Sequence, residues 1–182
     1  MLPPGHLAAG FLTSYGLLKL SNVAFTPTEA GFILLAGTIL GAIPDIDFIP
    51  FFSSRKSMRF TDSDTHRRYI THAPIIWLTI GLITALIAPN SFIWVLGLLI
   101  WLAPWSHFMG DSLEFGVRWL WPLSNRYFAL GKYPDRDLAT EKTLIRHYWG
   151  IIRAYMTQSI TFPLEAVLLL SAAAVLVKEF LL

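Results

Sequence analysis

Cysteine is missing from the sequence altogether, which excludes disulfide bridges, thiolate metal ligands and cysteine nucleophiles. Charge is scarce as well. Only 14% of the 182 residues are Asp, Glu, Lys or Arg, while 54% are hydrophobic; an ordinary soluble domain carries about a quarter charged residues. A water-soluble fold of this size has too much surface to hide so much apolar side chain, so lipid is the expected solvent. No internal repeat, low-complexity tract or Gly/Ser linker divides the chain, and residues 1–182 read as a single membrane-embedded domain. No basic cluster precedes the first apolar stretch, so a cleaved secretory signal is not expected.

What the sequence does contain is five apolar stretches, at residues 7–20, 30–43, 74–88, 92–109 and 164–182. These predict an all-α fold, a polytopic helical bundle of about five spans. Several fall short of the ~20 residues that cross a hydrocarbon core and are expected to extend into their polar flanks. Pro89 and Asn90 mark a tight turn and hence an antiparallel hairpin between the third and fourth stretches. The segment 111–161 mixes Trp119, Trp121, Tyr127, Tyr133, Tyr148 and Trp149 with basic residues, a composition suited to the membrane interface. Within it, Leu144, Tyr148, Ile151, Ile152 and Tyr155 recur at helical spacing and predict an amphipathic interfacial helix over 143–159.

If all five stretches cross, the loops alternate sides. The net charge of +2 and pI near 9 then come from a strong asymmetry rather than from a nucleic-acid-binding stripe, and no nucleic acid partner is expected. Of the fourteen Lys and Arg residues, only Lys19 and Lys178 fall on the poorer side. The richer side holds Arg55, Lys56, Arg59, Arg67 and Arg68 from segment 48–71, and seven more from segment 111–161. The positive-inside rule turns that side to the cytoplasm, with the N-terminus inside and the C-terminus outside.

The same side collects the chain's unusual polar residues. His6 opens the first stretch, Asp45 and Asp47 close the second, His66 and His72 precede the third, and His107 and Asp111 close the fourth. Imidazole and carboxylate groups are the usual ligands of zinc, manganese and iron, and seven candidates are enough for one or two divalent ions. His107 and Asp111, four apart, stack on one helix face. Asp45 and Asp47 flank Ile46, so an extended or turn conformation would aim both carboxylates the same way. His66 and His72, six apart, need a turn to meet. Arg67 is suited to an anionic group through paired hydrogen bonds. Each residue has a plainer reading: His6 as an interfacial cap, the two aspartates as a hydrated turn, His107 and Asp111 as a buried pair, and Arg55, Lys56 and Arg59 as headgroup contacts. His147, Asp62 and Asp64 are assigned the plain reading outright. Convergence on one face favours the metal site, since ionisable groups at membrane helices are costly and mark function.

The set Gly5–His6, Pro44–Asp45–Ile46–Asp47, His66–Arg67, Thr71–His72, His107, Asp111 and Trp121–Pro122 resembles the LexA-binding, inner-membrane-associated family of bacterial membrane-bound metal-dependent hydrolases. The resemblance covers roughly the first two-thirds of the chain. It implies a hydrolase in the bacterial inner membrane. Departures are Arg68 where the family has Gly, Ala73 where it has Ser, and Glu114 where it has Thr, which puts substrate selection in question. The expected activity is metal-dependent hydrolysis of a phosphoester or lipid phosphate at the cytoplasmic face, with Arg67 and Asp47 as catalytic groups. No His-Glu-x-x-His pattern supports peptide hydrolysis. A metal-ion transporter or sensor would place its site near the bilayer midplane. A non-catalytic scaffold would bind a protein partner at its cytoplasmic loops and use the metal structurally.

Overall fold

The computed structural model describes residues 1–53, 66–131 and 143–180; the side chains of Phe52, His66 and Phe180 are not among the described ones. Arg55, Lys56, Arg59, Asp62, Asp64, Lys132, Arg136 and Lys142 therefore lie outside the described residues.

The fold is all-helical, and the one β pairing among the described residues is an isolated antiparallel bridge between Val117 and Phe128. The apolar stretches become α1 (Pro3–Leu20), α2 (Pro27–Ala42), α4 (Pro74–Leu86), α5 (Ser91–Asp111) and α7 (Thr161–Phe180), with a short α3 (Phe48–Ser53) after α2 and an amphipathic α6 (Leu144–Gln158) before α7. Helices α1, α2 and α7 begin a few residues earlier than the apolar pattern alone predicts, and proline or capping side chains open most of the helices. Proline occupies the first turn of α1, α2 and α4, where its missing N–H costs nothing. Thr26 and Glu29 form a reciprocal capping box on α2. Asn90 accepts from the Ile93 amide at 2.9 Å to open α5, and Thr143 accepts from the Arg146 amide to open α6.

Among the described residues, three segments are long and apolar enough to cross a membrane: Pro27–Phe51, Ser91–Asp111 and Thr161–Glu179. Helix α4 is apolar but only 13 residues long, about 20 Å at 1.5 Å per residue. Bulky apolar side chains stand exposed on these helices, among them Phe32, Leu35 and Ile39 on α2, Ile83 and Leu86 on α4, and Val167 and Leu170 on α7. Such faces suit hydrocarbon rather than water.

Helix α1 packs on α2, α5 and α7, while α5 also meets α2 and α4. The inner core is Ile33, Val95, Leu99 and Ala103. Glycine sets the closest approaches. A Cβ on Gly10 would stand 2.2 Å from the Gly37 carbonyl oxygen, and one on Gly97 would stand 2.5 Å from the Ala85 amide nitrogen. The α1–α2 and α4–α5 backbones thus touch directly, as small residues allow in membrane bundles. Helix α6 turns His147, Ala154 and Tyr155 inward, while Leu144 and Ile152 from the apolar stripe are exposed together with Ile145 and Trp149, as suits an interfacial face.

Candidate metal centre

The bundle brings its polar residues together at one end. Pro3 starts α1 early enough to carry His6 within the helix. Pro44 lies in a 3-10 turn over Ile43–Asp47 that holds Asp45 and Asp47. Two further 3-10 turns, His66–Arg68 and Ile70–His72, deliver Arg67 and His72, and the last turns of α5 supply His107 and Asp111.

His6, His107 and Asp111 form one triad, and Asp45, His72 and His107 form another; His107 belongs to both. His107 Nε2 and His72 Nε2 each lie 3.6 Å from Asp45 Oδ1. His107 Nε2 is also 3.7 Å from Asp111 Oδ2, and His6 Nε2 is 3.3 Å from Asp111 Oδ1. The 3.6 and 3.7 Å separations are longer than hydrogen bonds, which cluster near 2.9 Å. They match the edge of a tetrahedron of ligands about 2.1 Å from a central ion, roughly 3.4 Å. His107 Nε2 is buried without a hydrogen-bond partner among the described residues. Leaving such a nitrogen dry is expensive. The His6 and His107 rings stack with centroids 3.6 Å apart, which brings two imidazoles to one point of the bundle. The residues present therefore fit a divalent ion.

For His107 and His72 a second contact fixes which nitrogen faces the centre. His107 Nδ1 lies 3.0 Å from the Gly41 carbonyl oxygen, to which it donates, so Nε2 carries the lone pair. His72 Nδ1 lies 2.6 Å from Asp47 Oδ2, which also accepts from the Thr71 hydroxyl at 2.9 Å. This is the carboxylate–histidine arrangement of metal sites. Asp47, expected among the ligands, instead stands behind His72 and outside both triads. The reason is the 3-10 turn. At three residues per turn, side chains two apart diverge by about 240°, whereas an extended or open turn would have aligned Asp45 with Asp47. His66 lies in the adjoining turn, with its side chain outside the described residues.

Asp111 is fully buried and highly engaged. Arg67 Nε donates to Oδ2 at 2.6 Å, and the Met1 nitrogen stands 3.0 Å from Oδ1. The Arg67 guanidinium also covers the Phe115 ring at 4.4 Å. Arg118 donates to the Arg68 and Tyr69 carbonyl oxygens, pinning the segment between the two 3-10 turns. Asp45 and Arg67 are 13% and 15% exposed, against 2% or less for His6, Asp47, His72, His107 and Asp111, so these two mark the open side.

The sequence-based assignments passed over two buried glutamates beside the centre. Glu114 accepts from the Ile160 amide at 2.7 Å and from the Ser159 and Thr161 hydroxyls, capping α7. The departure from Thr at this position thus serves the α6–α7 turn. Glu165, on α7, accepts from the Leu2 and Gly5 amides at 3.1 Å each and from the Tyr155 hydroxyl. Burial, aided by the bond to Glu165, pushes the Tyr155 phenol well above its ordinary value and keeps it a donor. An acidic residue near the start of an apolar stretch is itself the signal for Glu165.

A helical, lipid-suited bundle with a histidine–aspartate cluster at the ends of its helices defines a class of integral membrane protein. The chain matches the YdjM inner membrane protein family over residues 1–181 and belongs to that family. Neither a curated protein nor a solved structure matches it.

Proposed function

We propose that this protein is a membrane-bound, metal-dependent hydrolase acting on a phosphoester, most naturally a lipid phosphate, at the cytoplasmic face of the inner membrane. The observation that carries the reading is the pair of buried imidazole nitrogens, His72 Nε2 and His107 Nε2, held 3.6 Å from the partly exposed Asp45 carboxylate.

In this reading His107, His72 and Asp45, with His6 and Asp111, hold the ion. Because one imidazole nitrogen binds one ion, the two triads sharing His107 describe alternative ligand choices around one centre. A divalent ion bound there, zinc, manganese or iron, lowers the pKa of a coordinated water and stabilises charge on a phosphoryl oxygen. Asp47 orients His72, and the Gly41 carbonyl orients His107. Arg67, at the open side, receives the anionic oxygens of the substrate. Ile46, Ile70 and Met109, neighbours of the ligands in sequence, are exposed and offer an apolar collar for a lipid tail.

The proposed topology has five crossings, with the N-terminus cytoplasmic and the C-terminus periplasmic. A conduction role is disfavoured by the direct backbone contacts at Gly10, Gly37, Gly81 and Gly97, which leave no path along the α1–α2 and α4–α5 seams.

The test is phosphate release by purified protein from vesicles carrying phosphatidic or prenyl phosphates, and from a water-soluble phosphoester, with added zinc or manganese and with chelator. Metal-dependent release that prefers the lipid substrates supports the reading. No release from any substrate by metal-loaded protein contradicts it.

A further inference from the structure

We infer that Glu165, remote from the ion-holding residues in sequence and outside both triads, is a positioning residue for the metal centre, acting through His6. The inference rests on the metal-site reading above and adds a residue to it.

Helix α1 begins without a side-chain cap of its own: Leu2, at its N-cap position, makes no side-chain cap hydrogen bond. Unsatisfied amides at a helix start are costly when buried. Glu165 fills that role from another helix, Oε2 accepting from the Leu2 amide and Oε1 from the Gly5 amide, which it shares with the Leu2 carbonyl oxygen. His6 follows Gly5 directly, and its Nε2 faces Asp111. The fit around Gly5 leaves no slack, since a Cβ there would stand 2.6 Å from the Glu165 Cγ. Tyr155 donates to the same carboxylate from α6, so three helices are tied at the point that sets the depth and rotation of His6. One side chain thus couples the packing of α6 and α7 to the ligand set.

Glu114 provides an internal comparison. It is equally buried and also caps a helix start, but its partners lie in the Ser159–Thr161 turn rather than on α1. A general loss of stability affects variants at both positions alike. A positioning role singles out Glu165.

The experiment is titration of the purified, detergent-solubilised full chain with Co²⁺, read by visible absorption and by chelator competition. Glutamine at 165 retains the volume but replaces one acceptor oxygen with a donor, so it cannot serve both amides. Glu165→Gln and Tyr155→Phe are expected to weaken Co²⁺ binding, the former by about 10- to 100-fold, the range for outer partners of metal ligands, and to shift the spectrum toward that of His6→Ala. The double variant His6→Ala/Glu165→Gln should bind no more weakly than His6→Ala alone, because the two act through one ligand. Glu114→Gln should bind as the parent does. If Glu165→Gln weakens binding no more than Glu114→Gln, or adds fully to His6→Ala, the inference is overturned while the metal centre stands. A parent protein that binds no Co²⁺ overturns both.

Discussion

His72 points Nδ1 at the Asp47 carboxylate, 2.6 Å away, and thereby turns Nε2 toward Asp45 and His107. The contact divides the aspartates of one short turn into two roles, Asp45 at the centre and Asp47 behind it. Asp47→Asn keeps the shape but weakens the hold on the imidazole N–H. We expect zinc or manganese affinity to fall by about 10- to 100-fold with full stoichiometry still reached at saturation; competition against a chromophoric chelator measures it. An unchanged affinity would assign Asp47 a purely structural part.

Arg67 presents the opposite case. Its guanidinium binds Asp111 but sits at the exposed edge. Removing it in Arg67→Ala should leave metal content near that of the parent and raise the KM for an anionic lipid substrate by roughly 10- to 100-fold, the range of a lost charged hydrogen bond of about 1.5–3 kcal/mol. Arg67→Lys should restore only part, since an ammonium cannot make the paired contact. A fall in kcat at constant KM contradicts this role.

Packing at the glycine seams makes a stability prediction with its own control. Gly10→Ala forces a Cβ against the Gly37 backbone and should destabilise the protein by about 1–3 kcal/mol, seen as a lower thermal midpoint in detergent. Gly16→Ala, on the same helix but with nothing within 4 Å of its Cβ position, should be neutral or raise the midpoint, given alanine's better helix propensity. Equal effects at the two positions would remove the argument for direct backbone contact.

Topology is open to a simple chemical test because the chain has no native cysteine. Single-cysteine variants at Asn90, in the tight turn, and at the highly exposed Leu123 should react with a membrane-impermeant maleimide from opposite sides. Asn90→Cys should label in intact cells whose outer membrane is permeabilised, and Leu123→Cys only after the inner membrane is opened. Labelling of both from one side contradicts the proposed alternation.

The helices were legible in the sequence because long apolar runs bounded by proline and Asn-type caps leave little choice of structure. The gathering of His6, Asp45, Asp47, His72, His107 and Asp111 at one end was legible for the same reason: successive helices that reverse direction return their ends to the same end of the bundle. Three features were not. The 3-10 form of the Ile43–Asp47 turn decides which aspartate faces the centre, and periodicity over five residues cannot distinguish it from an extended turn. The rotation of α6 is set by Tyr155 reaching Glu165 and by burial of His147, contacts that its apolar stripe does not report. Glu114 and Glu165 act on helix starts more than 40 residues away in the chain, and no local pattern reports such a partner.

The proposed chemistry requires an ion held by His107, the residue common to both triads. Elemental analysis of the purified parent protein beside His107→Ala and the control His147→Ala, a buried histidine outside both triads, tests this directly. We predict close to one divalent ion per chain in the parent and in His147→Ala, and loss of nearly all of it in His107→Ala. Metal content undiminished in a folded His107→Ala protein would contradict the metal centre.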